Sequence, residues 1–159
     1  MVAKPVPKTP TVPVEYSALL ATLRKTLADP ALEALLARSG KIRVQKPRRD
    51  GQYVVCKQAG YTLLLEPVEG APRGTPLQVS QIFLHYPGQD GARGFAFPHG
   101  LVFGQTQAEV RKLLGEPVNS GNPYADFWDL DGVTFCVSYW GREAGGPNTL
   151  CDVRITPKG

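Results

Sequence analysis

The chain has no apolar run near the roughly 18 to 20 residues that carry a helix across a bilayer, no CxxC pair, and only two histidines and three cysteines in 159 residues. The first absence excludes a spanning helix. The cysteines, Cys56, Cys136 and Cys151, are odd in number and far apart, which fits neither zinc nor dithiol redox spacing, so they read as small apolar residues in strands. A Cys136–Cys151 bridge requires neighbouring strands, and a reducing cytoplasm opposes it. Missing too are the G-x-S-x-G turn of a serine nucleophile and the glycine, lysine and serine order of a phosphate loop. A hydrolase on this chain would have to pair Cys56, Cys136 or Cys151 with His85 or His99.

What is present is an ordinary globular balance, 42% hydrophobic and 20% charged, enough for one domain or two small units. The net charge of +4 is concentrated in RSGKIRVQKPRRD, residues 38–50, with six cations against Asp50. That stretch lacks interleaved aromatics and sits where a strand and loop are expected, so it reads as a solvated sheet edge protected by charge rather than as a nucleic-acid site. The amino-terminal MVAKPVPKTPTVPV has lysines but no apolar core or cleavage site. The expectation is an extended, flexible leader over residues 1–14 and a cytoplasmic protein.

Apolar spacing predicts a helix from Tyr16 to Leu27, then a second short helix opened by Asp29-Pro30 and closed at Ser39-Gly40. KIRVQK, QYVVCK, YTLLLEP and LQVSQIFLHYP alternate or are rich in β-branched and aromatic residues, as strands are. PGQDGARG is loop by composition. Thr106 and Glu109 make a capping box ahead of a helix whose Val110, Leu113 and Leu114 face inward, and Gly115 and Pro117 end it. After an SGNP loop, YADFWDL, VTFCVSYW and LCDVRITP read as three strands, with LDG turning the first into the second. The glycine-rich GREAGGPN is a hairpin loop. The halves repeat this order: LEALLARSG beside VRKLLGEP, GYTLLLEP beside GVTFCVSY, IFLHYP beside DVRITP. The predicted fold is therefore α+β, two similar units that each pack helices on an antiparallel sheet: 15–87 and 98–159, joined by a linker at 88–97.

The run FGQTQAEVRKLLGEP, residues 103–117, with Trp128 and an alternating strand pair after it, resembles the FGMT-x-x-x-V-x-x-x-L-G-x-P signature of small outer-membrane assembly lipoproteins. It also resembles the tandem-repeat β-lactamase inhibitor proteins. Gln105 stands where the signature has methionine, and no lipobox cysteine lies near the amino terminus, so the resemblance carries no membrane anchor. Without an export signal, such chains look like bacterial immunity proteins, which bind and neutralise a toxin. The resemblance implies a binder, with no catalytic residues.

Asp126, Asp129 and Asp131 invite a metal, but DLDG is too short for a calcium loop and lacks its closing glutamate, so a solvated turn is the expectation. Neither metal nor cofactor is called for. Tyr124, Phe127, Trp128, Tyr139 and Trp140 crowd one segment, and strand alternation sets Tyr124, Asp126 and Trp128 against Phe127 and Asp129. Trp128 is expected to pack beneath the helix at 107–114. Tyr124, Asp126, Asp129, Tyr139, Trp140, Arg142 and Glu143 form the predicted partner-binding set, aromatic and arginine residues being the usual anchors. The expected partner is another protein, a toxin or effector, with no nucleic acid and no membrane; a homodimer stays open. The alternatives are an envelope scaffold without its export segment and the small cysteine–histidine hydrolase.

Overall fold

The structure, a computed structural model, describes residues 14–86, 94–122, 124–140 and 148–158. The predicted leader (but for Val14), most of the predicted linker, and residues 141–147, with Arg142 and Glu143, lie outside them. Helix α1 spans Tyr16–Leu20, shorter than the apolar stripe suggests. The helix stops because Thr22 Oγ1 donates back to the Leu19 carbonyl at 2.6 Å and Arg24 turns left-handed at φ 66°. The Arg24 amide then donates to the Val79 carbonyl, and the Val79 amide to Lys25, at 2.8 and 2.9 Å. A sheet contact thus overrides the local helical pattern, and Leu23 and Leu27 pack from a turn.

Helix α2, Pro30–Ala37, follows the sequence expectation: Asp29 accepts from the Ala31 and Leu32 amides, Pro30 takes the first turn, and Leu32, Leu35 and Leu36 are buried. Gly40 ends this connection at φ 78°, a left-handed backbone that favours glycine, and a Cβ there would press on the Gln58 side-chain amide. Helix α3, Gln107–Leu114, carries the capping box between Thr106 and Glu109. Val110 is buried, whereas Leu113, expected to face inward, is 51% exposed. The eight-residue helix presents only a narrow apolar stripe to the sheet. Thr106→Ala removes one half of the box and is expected to lower stability by about 1 kcal/mol in denaturant unfolding.

Eight strands follow in chain order: β1 Arg43–Val44, β2 Gln52–Cys56, β3 Tyr61–Glu66, β4 Gln78–Leu84, β5 Asn119–Asn122, β6 Ala125–Leu130, β7 Val133–Trp140 and β8 Thr149–Pro157. They form one antiparallel sheet in the order β1-β2-β3-β4-β8-β7-β6-β5. The fold is α+β, with few short helices on a single sheet. β5 occupies the stretch expected to be a loop, held at its start by Asn119 opposite Phe127. The β6–β7 turn falls at LDG, with Asp131 and Gly132 both at positive φ, 56° and 75°. Among the described strands, those of the first half pair with those of the second only where β4 meets β8, through Ile82↔Ile155, Phe83↔Arg154 and Leu84↔Val153.

Alternation gives the sheet two unlike faces. Val54, Cys56, Tyr61, Leu63, Leu65, Ile82, Leu84, Trp128, Phe135, Val137, Tyr139, Val153 and Ile155 point to the first, and Leu19, Leu32, Leu35, Leu36 and Val110 of the three helices join them in one buried cluster. The second face carries no helix among the described residues. No helix among them is long and apolar enough to cross a membrane.

Candidate functional site

Residues that the pairing register places side by side define the second face. One row crosses the whole sheet: Arg43, Val55, Thr62, Phe83, Arg154, Cys136, Phe127 and Asn119, one residue from each strand. Tyr53, Leu64, Ser138, Asp152, Thr156, Asp129 and Trp140 flank it on the same face. Tyr53 is 41% and Trp140 67% exposed, while Phe83, Phe127 and Arg154 are half-buried. Large apolar and aromatic side chains thus meet solvent on a face that carries no helix among the described residues, the composition of a docking face.

The structure divides the predicted binding set. Asp129 and Trp140 lie on the second face, and Tyr124, 57% exposed, stands at the same sheet end as Trp140, its carbonyl accepting from the Tyr139 amide. Asp129 approaches Lys158 Nζ at 3.5 Å. Asp126 and Tyr139 are both 0% exposed and cannot touch a partner directly. Alternation is the reason: both point to the first face, beneath α3.

There Asp126 organises a closed network. Arg111 donates through Nε at 3.0 Å and Nη2 at 2.8 Å, Gln107 Nε2 at 3.1 Å and the Tyr139 hydroxyl at 3.0 Å. Burial pushes the Asp126 carboxyl up, but these hydrogen bonds pull harder, and it sits below the ordinary carboxylate value. The same carboxylate and burial push the Tyr139 phenol well above its usual range, burial first. Trp128, 2% exposed, donates from Nε1 to the Gly115 carbonyl at 3.1 Å, so the tryptophan does pack under the end of α3.

The three aspartates of the acidic run go to separate partners. Asp131 Oδ2 accepts from His99 Nε2 at 2.7 Å and from the Tyr16 hydroxyl at 3.1 Å, clasping α1 and the 98–100 turn to the β6–β7 turn. His99 also sits edge-on to Phe135, with centroids 5.7 Å apart. Among the described residues no three His, Cys, Asp or Glu side chains gather as a metal would require.

The thiols form no disulfide. Burial pushes Cys56 up to about 11, against a smaller opposing pull from a Tyr61 hydrogen bond, and burial also raises Cys136. His85 bonds to Thr62 Oγ1 through Nε2 at 2.7 Å. A reactive thiolate needs the opposite shift.

The basic stretch ends as an exposed edge, with Arg43 on two-residue β1, and Lys41, Ile42, Arg43, Val55, Lys57 and Gln58 line a cleft of about 390 Å³. Sequence reasoning did not single out Phe83 or Arg154. The signal for Arg154 was its place in LCDVRITP, a lone cation alternating with Val153 and Ile155 in a strand otherwise apolar on its inner side. Comparison of the chain with protein-family models, with curated proteins and with solved structures finds no match.

Proposed function

We propose that this chain is a non-catalytic protein-binding module, acting in the cytoplasm as an immunity protein that neutralises a bacterial toxin by direct contact. The observation that carries the reading is the sheet face that bears no helix among the described residues, with Phe83, Phe127, Tyr53 and Trp140 meeting solvent around Arg154. A face of that make-up binds by shape and apolar contact. The burial that raises the Cys56 and Cys136 thiols runs against their use as thiolate nucleophiles, which supports the non-catalytic reading for these two. The strand order, in which four consecutive strands run inward from each edge to the β4–β8 pair, supports two repeated units.

The test is co-expression with the product of the adjacent gene. A complex that survives gel filtration, together with protection of the cells, is the expected result; no complex and no protection sinks the proposal. Within a complex, Trp140→Ala is expected to weaken binding about 30-fold, the scale of a 2 kcal/mol anchor, as read by calorimetry. Because Trp140 is 67% exposed, the variant should melt with the parent.

A further inference from the structure

In the middle of the second face, Phe83 on β4, Arg154 on β8, Cys136 on β7 and Phe127 on β6 are consecutive neighbours across the sheet. At about 4.8 Å per strand the two phenyl groups stand roughly 14 Å apart. Cysteine is the small residue of the four, so the row forms a trough with phenyl walls. The arginine leans into it, its Nη2 3.9 Å from Cys136 Sγ.

That contact, to a weak acceptor, is the only hydrogen bond the Arg154 side chain makes among the described residues, although a guanidinium has five N–H donors. Its Nε is buried with no acceptor among the described residues. No carboxylate lies within 4 Å of it among the described residues. The nearest acid in sequence on the same face, Asp152, makes no ion pair with it, and burial raises the Asp152 carboxyl despite the pull of Arg154. An arginine that served only the fold would be held by carbonyls or a carboxylate, as Arg111 is held by Asp126.

We propose that Arg154 is the anchor for a carboxylate carried by the docking protein, an aspartate or glutamate side chain flanked by apolar residues that enters the trough between Phe83 and Phe127. The inference rests on the reading of this face as a docking surface. A carboxylate supplies the planar, paired acceptors that a guanidinium fork matches, and apolar residues beside it would rest on the two phenyl groups. The chain's net charge of +4 favours encounter with an acidic partner surface.

The first experiment needs only the protein. Arg154→Met is expected to melt at or above the parent's temperature, because no strong internal bond is lost and a buried donor without an acceptor is removed; a lower melting temperature makes Arg154 structural and overturns the anchor. The second follows the Arg154 Nε–Hε signal of the ¹⁵N-labelled full chain, assigned by its loss in Arg154→Lys, during titration with capped Ala-Leu-Glu-Leu-Asp-Ala and its Gln/Asn counterpart. Saturable movement with the acidic peptide, at least tenfold weaker with the amide peptide, supports the anchor. Equal response to both peptides, movement confined to the Lys41, Arg43 and Lys57 cleft, or preferential movement by an oligothymidylate overturns it. If the amide peptide perturbs Phe83, Phe127 and Trp140 while Arg154 stays still with both peptides, the carboxylate falls and the docking face stands. If neither peptide perturbs the face, the anchor falls and co-expression alone decides the broader reading.

Discussion

Replacing Asp126 by alanine lowers stability by about 3 kcal/mol and the melting temperature by roughly 6–12 °C. Asp126 is fully buried and receives bonds from Arg111, Gln107 and Tyr139, so its removal strands donors from one helix and one strand together. The loss falls at the low end for a buried ion pair because Arg111 keeps a third of its side chain in water. The pH profile separates charge from shape. The folded carboxyl lies below the unfolded value, near 3.9. The unfolded chain therefore takes the proton first, and the stability Asp126 provides is complete above about pH 5 and is lost as pH falls through the folded value. Asp126→Asn keeps the shape without that titration, so its unfolding free energy should drop less than the parent's between pH 5 and pH 3. Parallel decline of the two would show that another group carries the acid dependence.

Trp128→Ala should cost more, about 3–5 kcal/mol, since it empties the largest side chain of the first face beneath α3 and frees the Gly115 carbonyl. Trp128→Phe retains most of the volume and loses the hydrogen bond, for roughly 1–2 kcal/mol. Guanidinium unfolding followed by circular dichroism measures both, and tryptophan emission, left to Trp140 alone, should shift little on unfolding because that ring is already in water. Equal costs for the two variants would mean that packing under α3 is looser than the 2% exposure of Trp128 implies.

These two side chains also show what local sequence can and cannot carry. Alternation correctly put Asp126 and Trp128 on one side of β6 and Phe127 and Asp129 on the other. The sequence also placed Trp128 beneath the helix at 107–114. What it did not show is that Arg111 and Gln107 of that helix would close on Asp126 beside it, making a predicted surface acid the centre of a buried network. Helices α2 and α3 were legible because their caps are local: Asp29 with Pro30, Thr106 with Glu109. Helix α1 was overextended because its end is set by Val79, more than 50 residues away in the chain, and by the left-handed turn at Arg24. NSGN gave no strand signal, having neither β-branched nor aromatic side chains; β5 exists because β6 offers it a partner. Arg154 was passed over for a related reason. A cation in an alternating strand looks like a solvated position until the register shows Phe83 and Cys136 on either side.

The junction of β4 with β8 has a kinetic side. Every other strand pairing joins strands consecutive in the chain, whereas Ile82 must find Ile155 across the whole of α3 and β5 to β7. Until that search succeeds, β4 and β8 are bare, apolar margins, and a β4 margin fits the β8 of a second molecule as well as its own. Refolding yield should therefore fall as protein concentration rises, with exchanged dimers as the product that competes with the monomer.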